Sequence, residues 1–482
     1  MLFNSYYFII YFLPLVLFGY YSLHKRNHHS MAIVFMIIAS LFFYAFNSVY
    51  YLVLLISSII CNWIVSKIII KTKKKVFLFI GIIFNIIIIA YFKYFDFAVS
   101  NINILFKSEI NVHNIMLPLG ISFYTFQQIS YLIDSYRGET ENYNLLDYVA
   151  FVSFFPQLVA GPIVLHSELI PQFRNRDRWI FNYERFSEGL YFFTIGLFKK
   201  VMIADQFGKA VIWTWTDIYS RSSLELLLTM LFYTLQIYFD FSGYSDMAIG
   251  IAKMFNLDLP INFNSPYKAI SITDFWKRWH MTLTRFLTKY IYIPLGGNKK
   301  GKYRTYLNIL LVFLISGLWH GANWTFILWG ILHGVLQIID RVFGKIIIKI
   351  PKCISWFTTF VIVNLLWVLF YAPNISDAFY VWKKIFSLDS LYINSELYNL
   401  FKREEIEVVL SMIGKMGSLS SKYSWWYMVI YVCIALFICL FCKNIYKKKF
   451  VPTIRKAIIL PIIALWSVLS LSGVSTFLYS NF

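Results

Sequence analysis

Charged residues are scarce in this sequence. Only 14% of its 482 residues are Asp, Glu, Lys or Arg, against roughly 25% in a soluble globular chain. Hydrophobic residues make up 59% and aromatic residues 20%, so the chain has too little polar surface to face water on every side. A soluble protein of this length would divide into several domains, whereas lipid can cover a single apolar helical unit. The composition therefore predicts an all-α polytopic membrane protein.

Acidic residues are the scarcer of the charged groups, with 24 Asp and Glu against 44 Lys and Arg and a net charge of +20. Proteins that bind nucleic acid collect their basic residues on one face. Here the basic residues form short clusters between apolar runs, which is typical of cytoplasmic loops. We therefore expect membrane lipids, and no nucleic acid, among the partners.

Metal-binding patterns and a cleavable leader are also missing. The five cysteines lie in or beside apolar runs, and no Cys-x-x-Cys pair has a histidine or a second pair at metal-ligand spacing. We expect buried free thiols and no metal site.

The first 23 residues carry no charge and Lys25 follows them, which reverses the order of a signal peptide. The first run is predicted to be a retained helix.

Long apolar runs are abundant instead. A helix needs about 20 apolar residues to cross a bilayer, and uncharged runs of that scale occur at 1–23, 31–66, 148–165, 353–376, 423–442 and 457–482. Shorter and interrupted runs bring the prediction to eleven to thirteen helices, some of them short or re-entrant. We treat 1–482 as a single transmembrane domain. No internal repeat of the kind found in many transporters is visible in the sequence.

The basic clusters predict the topology. Those at 25–26 and 71–75 flank the run 31–66, which is long enough for a hairpin that turns near Asn47. The positive-inside rule then places both clusters in the cytoplasm and both termini on the other side of the membrane. The stretch 377–422 carries six basic and six acidic residues. This neutral balance predicts an extracytoplasmic insertion, which ends in a short amphipathic helix at Phe401–Met416.

His320 is the most informative ionisable residue. Its segment, 305–339, has only His320 and His333 as ionisable groups and is too short for two full crossings of about 20 residues each. We therefore predict a short hairpin with His320 near its turn. Gly317 and Gly321 flank it and allow close backbone approach. An ionisable group at membrane depth usually faces a cavity or a pathway, although a packing histidine bonded to a carbonyl is the structural alternative.

His280 is the second candidate. Together with Trp276, Trp279 and Leu283 it follows the spacing of one helical face, so we predict an amphipathic helix with His280 on its apolar side. An interfacial helix anchored by its tryptophans is the alternative.

Two further segments place polar or helix-breaking residues at membrane depth. Asp240-Phe241-Ser242-Gly243-Tyr244-Ser245-Asp246 closes an apolar run with two carboxylates, for which we expect ion pairs with Lys277, Arg278 or Arg285. Pro156, Gly161 and Pro162 break any regular helix, which at this depth is tolerated where the backbone lines a cavity or is covered by protein.

These motifs carry a resemblance to a known family. Phe155-Pro156-Gln157…Gly161-Pro162, the Asp240–Asp246 segment, Asp274-Phe275-Trp276…Trp279-His280, Tyr292-Ile293-Pro294-Leu295-Gly296-Gly297-Asn298 and Leu318-Trp319-His320-Gly321 occur in this order. The chain resembles membrane-bound O-acyltransferases, and within them the membrane subunits that O-acetylate alginate and peptidoglycan. The resemblance covers nearly the whole chain.

The resemblance implies a ring of helices around a central tunnel, with His320 as the family's catalytic histidine and His280 as a second one. It implies transfer of an acetyl group from a cytoplasmic thioester, acetyl-CoA, to a polysaccharide hydroxyl outside the cell, through an extracytoplasmic partner similar to serine hydrolases. No permanently bound cofactor is implied. Residues expected to line the tunnel are Trp319, Gly321, Trp324, Asp240, Ser242, Asp246, Trp276 and Arg278. The alternatives are D-alanyl transfer to teichoic acid, a transporter or flippase, and a non-catalytic scaffold.

Overall fold

The computed structural model describes residues 1–46, 48–141, 143–347, 349–403, 405, 407, 424–447, 450–471, 477 and 478. Within these ranges the regular elements are all helices, and no β-strand is found among them. The predicted all-α class is therefore confirmed. The predicted helix at Phe401–Met416 falls mostly outside the described residues.

The helices follow one another as a long series. The first part of the chain forms α1 (Leu13–Lys25), α2 (His29–Ala45), α3 (Val49–Thr72), α4 (Lys75–Ile89), α5 (Phe95–Phe106), α6 (Ile121–Arg137) and α7 (Leu145–Ser153). The middle forms α8 (Phe155–Leu158), α9 (His166–Arg174), α10 (Tyr183–Phe198), α11 (Asp205–Trp215), α12 (Ser223–Met254), α13 (Ile272–Trp276) and α14 (Met281–Leu287). The last part forms α15 (Lys302–His320), α16 (Trp324–Ile347), α17 (Lys352–Tyr371), α18 (Ile375–Ser387), α19 (Ser395–Asn399), α20 (Trp425–Leu440) and α21 (Ile454–Leu469). Four π-helical turns join or precede helices, at Tyr7–Phe12, Ala90–Tyr94, Lys199–Ala204 and Thr288–Tyr292.

Seven helical segments among the described residues are long and apolar enough to cross a membrane. They are Tyr7–Lys25, Val49–Thr72, Lys75–Phe106, Ser223–Met254, Trp324–Gly344, Lys352–Tyr371 and Trp425–Lys447. The predicted first helix, within residues 1–23, corresponds to the first of these segments. The multi-pass membrane architecture is thus confirmed, although fewer helices reach this length and hydropathy than the predicted eleven to thirteen. Helices α6 and α10, for example, are shorter, with 17 and 16 residues.

The cysteines are free, but the prediction that they are buried is wrong for four of the five. Only Cys439 is buried, whereas Cys61, Cys353, Cys433 and Cys442 lie on the outer surface. Their apolar surroundings are those of helix faces on the outside of the bundle. In a membrane protein such faces are apolar because lipid covers them.

The longest helix, α12, is the centre of the bundle. It packs against α10 at glycines: a Cβ on Gly196 would lie 2.6 Å from the Gly243 carbonyl oxygen, and one on Gly189 would lie 2.6 Å from that of Gly250. The absence of side chains at these positions lets the two backbones touch.

The close approach of α10 also decides the ion pairs of the acidic segment. Asp240 pairs with Lys200 and Asp246 with Lys199, each at 2.6 Å. The predicted pairing with Lys277, Arg278 or Arg285 is wrong, because the segment lies in the middle of α12 rather than at its end, beside the π-helical turn that follows α10. Arg278 pairs instead with Asp274 at 2.7 Å.

The segment 153–165 is irregular, as its prolines and glycine predict, and it is buried throughout. Side chains of several helices bond its backbone, and those of α14 bond both backbone groups of Ile163. The Ile163 N–H donates to Thr282 Oγ1 at 3.0 Å, and Arg285 donates to the Ile163 carbonyl at 3.0 Å. Broken backbone is thus covered by protein, one of the two conditions under which membranes tolerate it.

Basic residues collect at one end of the molecule. Helices α15 and α16 are antiparallel, because Gly317 packs on Phe326 and Gly334 packs on Leu310. The start of α15 at Lys302, Arg341 near the end of α16 and Lys352 at the start of α17 therefore lie at the same end. We call this the basic end.

An ion cluster follows the close of α12. Asp258 accepts hydrogen bonds from Arg178 and Arg185, each at 2.7 Å. Burial alone would raise the pKa of Asp258, but these hydrogen bonds outweigh it and hold the pKa below its usual range.

Candidate active site

The two predicted catalytic histidines come together. His320 is the last residue of α15, where the predicted hairpin turns at residues 321–323, and its side chain has no solvent exposure. The His280 ring lies 6.5 Å from the His320 ring, and both are fully buried. Trp319 contacts both rings, with centroid distances of 5.9 Å and 4.8 Å. The site is therefore an aromatic interior that holds two imidazoles.

The glycines beside His320 are needed for close packing. A Cβ on Gly317 would lie 2.3 Å from the Phe326 carbonyl oxygen, and one on Gly321 would lie 2.2 Å from the Phe326 ring. Either side chain would force α16 away from the end of α15. The predicted close backbone approach is therefore made by α16 itself.

His280 is not on a continuous helix, contrary to the sequence-based prediction. Helix α13 ends at Trp276 and α14 begins at Met281, with His280 between them at φ 45°, ψ 52°. This is the left-handed region, where non-glycine residues are uncommon and cost about 1–2 kcal/mol. The periodicity of Trp276, Trp279 and Leu283 holds across the break because all three side chains still point into the core.

Asn262 fixes the orientation of His280, and sequence reasoning missed it. Its Oδ1 accepts the Thr282 backbone N–H at 3.3 Å and lies 3.1 Å from His280 Nδ1. The atom that accepts the Thr282 N–H is the amide oxygen of Asn262, which has no hydrogen to donate. The imidazole must therefore donate the hydrogen bond between them, so Nδ1 carries the proton. In neutral His280 the lone pair is then on Nε2. No motif around Asn262 indicated this contact.

A third histidine adjoins the pair. His333 Nδ1 accepts a hydrogen bond from Trp276 Nε1 at 3.2 Å, and Trp329 lies between His333 and His320 with centroid distances of 4.7 Å and 5.1 Å. The predicted site residue Trp276 is thus part of the site. The same hairpin carries both His320 and His333, which the sequence showed without assigning His333 a role.

Lys93 and Tyr94 also reach the site. They belong to the π-helical turn Ala90–Tyr94. Lys93 Nζ donates to the Trp319 carbonyl and Tyr94 donates its hydroxyl to the Leu318 carbonyl. A lysine inside an apolar run was the signal that could have found this contact, since such residues are rare and usually functional.

Two neighbouring cavities lie at the basic end. The outer one, about 690 Å³, is lined by four basic side chains, Lys277, Arg278, Arg341 and Lys352, and by the carboxylates of Asp274 and Asp340. The inner one, about 240 Å³, is lined by Trp276, Phe313 and Ser316, among others. Ile309, Gln337 and Arg341 line both. Ser316 lies one helical turn before His320. Trp276, which lines the inner cavity, lies 5.7 Å from the Trp329 ring, and Trp329 lies 5.1 Å from the His320 ring.

Several predicted lining residues lie elsewhere. Trp324 is half-exposed and donates to Asn101 at 2.8 Å, away from the histidines. Arg278 lines the outer cavity. Asp240 and Asp246 are held in their ion pairs, and Asp240 also accepts the Leu478 N–H at 2.9 Å. Ser242 is buried within α12. Asp240 and Asp246 therefore stabilise the contact between α12 and the π-helical turn that follows α10, and they do not face the imidazoles.

The sequence matches a family model. The model described as "MBOAT, membrane-bound O-acyltransferase family" matches residues 112–382. This range is more than half of the chain and contains both His280 and His320. The chain belongs to the membrane-bound O-acyltransferase family. It is therefore an acyltransferase, and the transporter and scaffold alternatives are set aside.

Three relatives place the chain within the family. It is 40% identical to a "Peptidoglycan O-acetyltransferase" of Helicobacter pylori over the whole chain and 98% of that protein. It is 39% identical to a "Probable alginate O-acetylase AlgI" of Pseudomonas aeruginosa over 80% of the chain and 75% of that protein. A "Teichoic acid D-alanyltransferase" of Streptococcus thermophilus is 28% identical over 46% of the chain and 56% of that protein.

Metal ligation is not organised in the described part of the chain. No group of three or more His, Cys, Asp and Glu side chains there could hold a metal ion.

Proposed function

We propose that this protein moves an acetyl group from a cytoplasmic thioester, acetyl-CoA, to a hydroxyl of an extracytoplasmic polysaccharide, with His320 as general base. The observation that carries the proposal is the position of His320. It is buried at the end of α15, beside a second histidine and one aromatic layer away from a cavity that opens at the basic end.

The cavities support entry of the donor from the basic end. Coenzyme A carries phosphates, which lysine and arginine side chains bind well, and Lys277, Arg278 and Lys352 line the outer cavity. The inner cavity suits the narrower arm that bears the thioester. If the basic end is cytoplasmic, the thioester arrives on the side where it is made.

The reaction follows from the chemistry of a neutral imidazole. The acceptor hydroxyl oxygen attacks the thioester carbonyl carbon while its proton passes to His320. The C–S bond then breaks, and the thiolate of coenzyme A leaves and takes up a proton. A positioned general base contributes typically 10²–10⁴-fold to such a step. Exclusion of water by the aromatic rings protects the thioester from hydrolysis.

The relatives support the acetyl group and the polysaccharide acceptor. The two acetylating relatives align over most of the chain at 39–40% identity, whereas the D-alanylating relative aligns over less than half of it. We place the final hydroxyl on an exopolysaccharide or peptidoglycan, reached through an extracytoplasmic partner similar to serine hydrolases. The single domain 1–482 in the bacterial inner membrane, with the insertion 377–422 outside, is part of this proposal.

His320→Gln tests the general base. Glutamine keeps most of the volume and some hydrogen bonding but cannot take up a proton near neutral pH, so the variant should fold, still bind acetyl-CoA and lose O-acetylation. The measurement is ester-linked acetate released by mild alkali from the purified cell polysaccharide, together with the amount of protein in membranes.

His28→Gln is the matched control, because His28 is exposed in the turn between α1 and α2 and its replacement should leave acetate at the wild-type level. Wild-type acetate in His320→Gln at normal abundance would remove His320 from the mechanism and leave His280 as the leading candidate.

A further inference from the structure

We infer that Lys93, with Tyr94, is a positioning residue for His320: the two side chains hold the end of the helix that carries the base. This rests on the proposed role of His320. Lys93 and Tyr94 hold the backbone carbonyls of the two residues that precede His320, Trp319 and Leu318.

The need for such contacts follows from helix geometry. The last four carbonyls of an α-helix have no partner within the helix, and buried carbonyls without partners are costly. Helix α15 ends at His320, which is fully buried. Two of its last carbonyls are satisfied by side chains from a different part of the chain, so the direction of the helix end depends on them.

The donors come from an unusual piece of backbone. The segment Lys75–Phe106 is one continuous apolar helical stretch apart from the π-helical turn Ala90–Tyr94. A π-helical turn inserts a residue into the helical register and occurs frequently at functional sites. In this turn both Lys93 and Tyr94 point toward the end of α15, although neighbouring residues on a regular helix lie about 100° apart.

Lys93 is further fixed by its surroundings. Its Nζ lies 3.4 Å from Ser122 Oγ and 5.8 Å from the centre of the Trp319 ring. The Trp319 ring packs on Phe123 and Phe126, at 5.5 Å and 5.4 Å. The residue next to His320 is therefore held by its carbonyl and by its ring, which leaves the imidazole little freedom. Catalytic geometry requires this, since a misplacement of about 1 Å can cost about 10²-fold in rate.

Lys93→Met tests the inference. Methionine keeps the length of the side chain and removes the N–H donors. Acetyl transfer is measured in membranes of the expressing cell, which retain any partner, with acetyl-CoA as donor and release of free coenzyme A thiol as the signal. We expect the rate at saturating acetyl-CoA to fall about 10²-fold while the KM for acetyl-CoA changes by less than about twofold. Lys93→Arg, which restores N–H donors, should recover part of the rate.

Tyr94→Phe is a milder second variant for the case in which Lys93→Met does not accumulate, and it should lower the same rate about tenfold with an unchanged KM. Lys67→Met is the matched control, because Lys67 also donates to a backbone carbonyl, that of Tyr143 at 2.6 Å, away from the histidines. Its rate should stay at the wild-type level.

The outcomes are distinct. Wild-type rates in both Lys93→Met and Tyr94→Phe would overturn the inference, and so would a raised KM with an unchanged rate, since Lys93 would then bind substrate. His320→Gln in the same assay tests the proposed function separately. If His320→Gln is inactive while Lys93→Met is fully active, only the positioning role fails; if His320→Gln is active, the general base itself has been assigned wrongly.

Discussion

At the scale of single residues, His280 shows how backbone and side chain combine in the site. The left-handed conformation of His280 turns the chain between α13 and α14, and Asn262 sets which imidazole nitrogen keeps the proton. The contact between Nδ1 and Asn262 leaves Nε2 on the side of the ring that faces away from Asn262. The residue therefore contributes a conformation as well as a functional group, and a useful substitution has to separate the two.

His280→Asn and His280→Ala make that separation. Asparagine, like histidine, is several-fold enriched in the left-handed region, so His280→Asn should keep the turn between α13 and α14, lose some stability to the smaller buried side chain and lose most of its O-acetylation. His280→Ala should lose activity too and be less stable than His280→Asn, because alanine leaves a larger cavity and is not favoured at φ 45°.

Thermal unfolding and ester-linked acetate are measured on the same preparations. Normal acetate with His280→Asn would limit His280 to a structural role.

At the scale of elements, the hairpin α15–α16 and the irregular segment 153–165 could be predicted from sequence, because the first depends on the spacing of apolar residues and the second on proline and glycine. The break at His280 could not, since the apolar periodicity continues across it. Nor could the partners of Asp240 and Asp246, which depend on the contact between α10 and α12. Asn262 and Lys93 reach the site through long-range packing, which one sequence without its fold does not display.

The crossing of α10 and α12 permits a direct test. A methyl group on Gly196 would lie 2.6 Å from the Gly243 carbonyl oxygen, so Gly196→Ala should force the helices apart and lower stability by about 1–3 kcal/mol.

The matched control is Gly344→Ala, at a helical glycine with no atom within 4 Å of an added Cβ. There alanine should be neutral or stabilise by about 0.5–1 kcal/mol. Equal unfolding temperatures for the two variants in detergent would mean that the glycine contact is not needed.

At the scale of the whole molecule, the distribution of charge predicts orientation. The loop between α3 and α4 contains Lys73 and Lys74, while the described part of the stretch 377–422 mixes both signs. The positive-inside rule assigns the first to the cytoplasm and leaves the second outside. The proposed direction of acetyl transfer depends on this orientation, since the donor cavity opens at the basic end.

Thiol labelling checks the orientation. Because four native cysteines are exposed, the experiment starts from a variant without cysteine. A cysteine at Asn399 should then react with a membrane-impermeant reagent added to intact cells, and one at Thr72 should react only after the cells are opened. Both positions are exposed in the structure. The reverse pattern would invert the topology and with it the direction of transfer.

The buried pairs Lys199–Asp246 and Lys200–Asp240 have a consequence for biogenesis. A charged side chain at the centre of a bilayer costs about 2.5–3.5 kcal/mol on insertion scales, and α10 with its π-helical turn reaches the membrane before α12 has been synthesised. Lys199 would enter lipid without its carboxylate, and Lys200 would have only Asp205 at the start of α11, 2.8 Å from its Nζ. We therefore expect the segment from α10 to wait at the translocon until α12 emerges, so that the two helices leave for the bilayer together as an electrically neutral pair.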